Sequence, residues 1–269
     1  MTVHKILIIQ TAFIGDVVLA TPLIEKLHVF FPTAQIDFLL RKGNEQLLAG
    51  HPFLHDVLVW DKKKNKQQNL FRMITRIRKN KYDLVVNVQR FFATGLITVF
   101  SGGRETIGFD KNPLSFLFSK KIKHRVGGEA SVHETVRNLE LILDLTDDSV
   151  FKPKLYPSAA DFTSVESLAR GKYITVSPAS VWFTKQFPAA QWISFIQKIP
   201  LKLEIYLLGG PDDKKLCQQI TGACQQHEIK VLAGSLSFLQ SAALMSRATA
   251  TRLVRVRPSQ TVHGVWLLT

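Results

Sequence analysis

Three short stretches of the chain carry residue types and spacings that could do chemistry. In "TAFIGDVV" (11–18) a glycine and an aspartate, Gly15 and Asp16, stand between an apolar run and a helical pattern. Gly15 lets the backbone turn tightly. A carboxylate at a helix start is favoured as a cap and by the helix dipole. The same carboxylate at the mouth of a sheet could act as a general base toward a bound hydroxyl. Both readings of Asp16 stand at this level. In "SPASVWFTKQFPAAQW" (177–192), Ser180, Thr184 and Lys185 lie in a loop ahead of a helix that begins near Pro188. Backbone N–H groups, the two hydroxyls and the lysine could surround a diphosphate. The plain alternative is an ordinary loop with an exposed lysine. In "LLGGPDD" (207–213), Gly209 and Gly210 could let a ligand approach the backbone, although many such turns look alike.

These stretches need elements to position them. Apolar runs alternate with amphipathic ones: "KILIIQ" precedes a helical "GDVVLATPLIEKLHVFFP", and "QIDFLLR" precedes a helical "GNEQLLAGH". "DVLVW", the basic "NLFRMITRIRKN" and "YDLVVNVQ" continue the alternation. Such an order implies a parallel sheet covered on both faces. After "VHETVRNLELILDL", a helix by its periodicity, the stretch "TDDSVFKPKLYPSAADF" reads as a linker. The alternation then restarts with "KYITVSPAS", "LEIYLLGGPDD" and "IKVLAG". Ligands bind such sheets outside the carboxyl ends of the strands, so the three loops are expected to converge on a cleft between two doubly wound units.

The 269 residues are enough for about two domains and a real core. No apolar run is long enough to span a bilayer, and "MTVHKILIIQ" enters a strand with no signal-peptide pattern, so a cytoplasmic chain is expected. Cys217 and Cys224 have no metal or redox spacing and read as small buried side chains. The net charge of +14 favours anionic partners. It clusters at 61–68, 72–81 and 119–126, where a solvated face is the plain reading. No nucleic-acid module accompanies the charge, so no nucleic-acid partner is expected. The missing GxGxxG fingerprint disfavours a nicotinamide enzyme.

The stretches "KILIIQTAFIGDVVLATPLIEKL", "HETVRNLELI", "SPASVWFTKQFPAAQW", "LLGGPDD" and "LAGSLSFLQSAALMSRA" together resemble the ADP-heptose:lipopolysaccharide heptosyltransferases of glycosyltransferase family 9. The resemblance runs to about residue 248. It implies an α/β GT-B fold: two Rossmann-like domains facing across a cleft, an acceptor-binding one at 1–155 and a nucleotide-sugar-binding one at 170–269. It implies an inverting transfer of heptose from ADP-heptose to the inner core of lipopolysaccharide, with no cofactor and no metal. Asp16 maps to the catalytic base. Ser180, Thr184, Lys185, Gly209 and Gly210 fall on the nucleotide-sugar side, with Lys185 neutralising the departing ADP. Gly15, His133 and Arg137 fall on the acceptor side. A phosphorylated core acceptor and a peripheral contact with the anionic inner face of the cytoplasmic membrane account for the positive charge. Lys120, Lys121 and Lys123 belong to that contact.

The last 21 residues, with three arginines and no acid, depart from the family pattern. They read as a truncated or frame-shifted tail, 249–269, that leaves the second domain incomplete and is itself disordered or irregular. The alternative function is then an inactive remnant that retains only an anionic-glycolipid-binding surface.

Overall fold

The computed structural model describes residues 2–125, 132–180, 186–199 and 203–253. The chain divides into two compact units, Met1–Tyr156 and Pro157–Thr269.

In the first unit the strands are β1 (Lys5–Ile9), β2 (Gln35–Arg41), β3 (Asp56–Trp60), β4 (Leu84–Asn87), β5 (Glu105–Phe109) and β6 (Lys120–Ile122). They pair in parallel in the order β3-β2-β1-β4-β5-β6. That is the Rossmann order, and apolar runs such as "KILII" and "LVVN" are what a sheet buried on both faces requires. Helices α1 (Ile14–Val18), α2 (Thr21–Phe30), α3 (Lys66–Asn80), α4 (Phe92–Phe100) and α5 (Glu134–Leu139) supply the cover. Ile6, Ile8, Phe38 and Val86 pack with Leu23, Ile24 and Leu27 of α2. The alternate residues Leu7, Ile9, Leu39 and Val85 pack with Met73 and Ile77 of α3 and Ile97 of α4.

Two expected elements differ. The single helix expected after Gly15 is two, because Pro22 lacks the N–H a continuous helix needs there. Thr21 Oγ1 donates instead to the Val18 carbonyl at 2.8 Å. The helix expected in "GNEQLLAGH" is one 3-10 turn, Glu45–Leu48.

The expected linker is structured at both ends. Its first part folds back on α2, where the fully buried Lys26 ammonium meets the Asp147 carboxylate at 3.0 Å and the Asp147 and Ser149 carbonyls at 2.6 and 2.8 Å. The Lys154 N–H donates to Thr21 Oγ1 at 3.0 Å, and the Tyr156 hydroxyl donates to Glu25 at 2.9 Å. Its last part opens the second unit as α6 (Ala159–Ser164), with Ser158 and Asp161 forming a reciprocal cap. Val165 is buried there with Tyr173 and Tyr206.

The second unit has strands β7 (Tyr173–Ser177), β8 (Glu204–Leu207), β9 (Ile229–Val231) and β10 (Ala250–Leu253), in parallel in the order β10-β7-β8-β9. This repeats the order of the first four strands of the first unit. Helices α7 (Ala189–Ile196), α8 (Lys214–Ala223) and α9 (Phe238–Ser246) connect them. Strand β10 corrects the expected irregular tail in part. Ala250 to Leu253 pair with Ile174 to Ser177, and buried Thr251 and Thr175 join through their hydroxyls at 2.8 Å. A hydroxyl pair in place of an apolar run is why the sequence pattern hid this strand. Residues 254–269 lie outside the described residues. Cys217 and Cys224 are buried free thiols, as expected.

Candidate functional site

In the first unit the strand order reverses between β1 and β4, and the loops beyond their carboxyl ends form the place where this fold takes ligands. Buried polar side chains meet there. Thr11 Oγ1 donates to Gln89 Oε1 at 2.8 Å, and Gln89 Nε2 donates to Gln10 Oε1 at 2.5 Å. Asn44, past β2, donates to the Ala12 carbonyl at 3.0 Å. Asn112, past β5, donates to the Gln89 and Phe91 carbonyls, each at 3.1 Å. Lys62, past β3, places Nζ 2.6 Å from Thr11 Oγ1 and 3.0 Å from the Thr11 carbonyl. Burial, and then the nearby Arg41 charge, pull its pKa down to about 8, so it still carries a proton at neutral pH. Arg41 in turn lies over the Phe13 ring at 4.6 Å. The mouth is therefore polar, hydrogen-bonded within itself and cationic.

Asp16 stands beside this mouth as the third residue of α1. It is not the N-cap itself; its Oδ2 reaches back to accept the Phe13 N–H at 3.0 Å. Among the described residues Phe13 alone hydrogen-bonds this carboxylate. The reason expected for Gly15 is corrected. Its φ is not positive, so no special turn requires glycine. A Cβ added there meets nothing within 4 Å, so the glycine leaves the helix start open to an incoming group.

His133 caps α5, its Nδ1 accepting the Thr135 N–H at 3.2 Å. Arg137 lies one turn on, mostly buried, with Nη2 3.7 Å from Glu134. Asn138 Nδ2 donates to the Leu19 carbonyl at 3.1 Å and so ties α5 to the end of α1. Arg137 also acts on His124, which follows β6. Burial, then the charges of Arg137 and Arg90, lower the His124 pKa to about 4, and Lys111 adds to the effect. Arg90 and Lys111 follow β4 and β5, Arg137 lies on α5, and the His124 backbone N–H donates to Asp110 at 2.9 Å. Such a group of donors suits a phosphate or carboxylate.

In the second unit Ser180 lies in the loop past β7, where the Trp192 indole donates to the Pro178 carbonyl at 3.1 Å. Thr184 and Lys185 lie outside the described residues. Gly209 and Gly210 follow β8, and here the expected reason is again corrected. A Cβ on Gly209 would stand 2.8 Å from Asp213 Oδ2, which accepts the Gly210 N–H at 2.7 Å. The space beside Gly209 is filled by the protein's own carboxylate. Among the described residues of the second unit, Gly234 has the positive φ, +72°, and a Cβ there would meet Pro211 Cα at 2.8 Å. Among the described residues no three His, Cys, Asp or Glu side chains come together as metal ligands would.

Residues 70–251 match the model of glycosyltransferase family 9 (heptosyltransferase). The chain belongs to that family. Lipopolysaccharide heptosyltransferase 3 of Escherichia coli is 28% identical over 253 residues, which are 88% of this chain and 73% of that protein. The crystal structure of the glycosyl transferase family 9 from Veillonella parvula DSM 2008 matches 92% of this chain and 75% of its own, with 19% identity and a TM-score of 0.81. The E. coli heptosyltransferase WaaC with ADP-2-deoxy-2-fluoro heptose matches 92% of this chain and 81% of its own, with 17% identity and a TM-score of 0.71. The α/β GT-B fold and a glycosyltransferase activity follow from the membership and these likenesses.

Within this family 9 chain, Gly15 and Asp16 precede the stretch that the family model covers. The sequence reading missed Gln10, Thr11, Lys62, Arg90, Lys111 and His124. A usable signal existed. Each lies within three residues of the carboxyl end of a parallel strand: Lys62 after Trp60, Arg90 after Asn87, Lys111 after Phe109, His124 after Ile122. Lys62 was submerged in the run "DKKKNK", whose other lysines are exposed.

Proposed function

We propose that the chain transfers heptose from ADP-heptose to a hydroxyl of the inner core of lipopolysaccharide, with inversion at the anomeric carbon. The observation that carries this is, in a family 9 chain, a half-exposed Asp16 carboxylate at a helix start and several cations past the carboxyl ends of the same sheet. Asp16 takes the proton of the acceptor hydroxyl as the oxygen bonds the anomeric carbon. The bond from that carbon to the diphosphate oxygen breaks on the opposite face, and ADP leaves with the electron pair. Lys185, with Ser180 and Thr184, holds the diphosphate and offsets its charge. Arg90, Lys111 and Arg137 hold a phosphate of the acceptor, with His133 and Gly15 at the edges of that subsite. Binding of an ADP-sugar by the E. coli relative supports ADP-heptose as donor.

The acceptor class is lipid-anchored, so an anionic membrane surface on the cytoplasmic side is the second proposed partner. Among the described residues no helix is long and apolar enough to cross a membrane, and contact is assigned to the surface. The three lysines expected to make it are reduced to two, because Lys120 pairs with Asp144. The comparisons give the inactive-remnant alternative no support.

The test is ADP release from ADP-heptose with and without a purified core acceptor, with calorimetry of ADP for the wild type and Lys185→Ala. Acceptor-dependent release, and an ADP affinity reduced about tenfold or more by the loss of a charged hydrogen bond, are expected. Absence of both ADP binding and transfer would overturn the reading.

A further inference from the structure

Helix α4 buries Ile97 in the core but turns large rings outward and threonines inward. Thr94 and Thr98 are fully buried, and the residues turned to the surface are Phe92, 55% exposed, and Phe100, 49% exposed. The inward hydroxyls are satisfied locally. Thr94 Oγ1 donates to the Phe91 carbonyl and Thr98 Oγ1 to the Thr94 carbonyl, both at 2.8 Å. Asn87 Nδ2 donates to Thr98 Oγ1, also at 2.8 Å. Phe92, the half-buried Leu96 and Phe100 repeat at i, i+4 and i+8 and so form one stripe. Phe91, 60% exposed, extends it. Leu114 lies against Gly95, and the turn just beyond it presents Phe116, 70% exposed, and Leu117. An exposed apolar group of this extent marks an interaction surface rather than ordinary scatter.

What surrounds the stripe tells which partner it fits. Helix α3 packs beside α4 and carries Lys66, Arg72, Arg76, Arg78 and Lys79 with no acidic residue. Arg78 reaches Gly102, just past the end of α4, where an added Cβ would meet its Cγ at 3.4 Å. Of these cations, Arg76 alone has an acidic partner among the described residues, Asp56 at 2.8 Å. Aromatic rings beside arginines and lysines match the boundary between acyl chains and anionic head groups. A second copy would bring five like charges against five, which opposes self-association through this face.

We propose that the outer face of α4 seats on an anionic lipid bilayer, with Phe92, Phe100 and Phe116 entering the acyl boundary and the α3 cations on the head groups. The proposal rests on the membrane-surface reading above and names the face that makes the contact.

The test is co-sedimentation of the full chain with vesicles of phosphatidylcholine and phosphatidylglycerol, and with phosphatidylcholine alone. The wild type is expected to bind the anionic vesicles, less so at high salt. The double variant Phe92→Ser, Phe100→Ser is expected to bind about tenfold or more weakly, equivalent to about 1.4 kcal/mol, while transfer to a delipidated, soluble acceptor is unchanged. In Phe92→Trp, brominated acyl chains should quench fluorescence beyond the wild-type level, a measurement that stands even if the double variant folds poorly. A wild type that never sediments would overturn both this proposal and the membrane reading. Sedimentation unaltered by the double substitution, or no added quenching in Phe92→Trp, would overturn the assignment to α4 alone. Concentration-dependent self-association lost in the double variant would make a second copy the occupant and overturn it as well.

Discussion

Asp16→Asn separates the two readings of this carboxylate. In the wild type, Oδ2 accepts the Phe13 N–H at 3.0 Å and fixes the start of a five-residue helix. Asparagine keeps an oxygen in that position, so the bond and the helix start survive. The amide has no lone pair basic enough to take an alcohol proton. Loss of a general base lowers turnover by about 10²–10⁴, or roughly 2.7–5.4 kcal/mol at about 1.36 kcal/mol per tenfold. The stability change is far smaller. The variant loses only the charge–dipole term, roughly 0.3–1 kcal/mol, which moves Tm by at most about 4 °C in a chain of this size. The assay is ADP release at saturating donor and acceptor, with thermal unfolding and ADP calorimetry on the same samples. Asp16→Ala should be as slow as Asp16→Asn and should lose further stability through the vacated Phe13 N–H. If Asp16→Asn keeps turnover within about fivefold of the wild type while Asp16→Ala is slow, the hydrogen bond is the function and the base assignment is refuted.

Gly15→Ala places a methyl group in open space on a helix, so stability should rise by about 0.5–1 kcal/mol. The acceptor KM should rise with it; an unchanged KM would remove Gly15 from the acceptor path. Arg90→Ala should raise KM for a phosphorylated acceptor by about 10–100-fold, from a charged hydrogen bond of roughly 1.5–3 kcal/mol, with kcat little changed. An equal rise with a dephosphorylated acceptor would show that Arg90 does not read the phosphate. His51 and His124 are both held near pKa 4, chiefly by burial, against 6.5 when unfolded. The unfolded chain therefore binds more protons in this range, and stability should be full above pH 6.5 and fall as pH drops toward about 4. Denaturant midpoints from pH 7.5 to 4.5 (about three pH units) check this, and His51→Gln should flatten the slope.

The sheet was legible because burial on both faces makes each strand a short apolar run, as in "KILII", "QIDFLLR" and "EIYL". What escaped notice breaks that link between apolarity and burial. Helix α4 hides Thr94 and Thr98 beside Ile97 and shows Phe92 and Phe100, so apolarity alone does not mark its inner face. Strand β10 joins its neighbour through a pair of threonine hydroxyls. At the site, Gly15 and Asp16 were visible as a motif, but the reason for the glycine was not: it lies in what surrounds the backbone, not in its φ. Gly209 shows the reverse, a motif that suggests ligand space where Asp213 already sits. Lys62 differed from the run around it only by its place two residues past a strand end, which the fold turns into a contact with Thr11.

The ammonium of Lys26 sets a rule for dissecting this chain. It is fully buried, and three of its contacts are oxygens of Asp147 and Ser149. A fragment of the first unit ending near residue 145, where the last helical turn stops, would strand a buried cation without its acceptors. It would also free Thr21 and Glu25 from Lys154 and Tyr156. An expression boundary placed after Tyr156 keeps all of these bonds, although the residues it adds look like spacer in the sequence. Removing those eleven or so residues should cost the fragment its solubility, whereas cutting just beyond them should leave a well-behaved first unit.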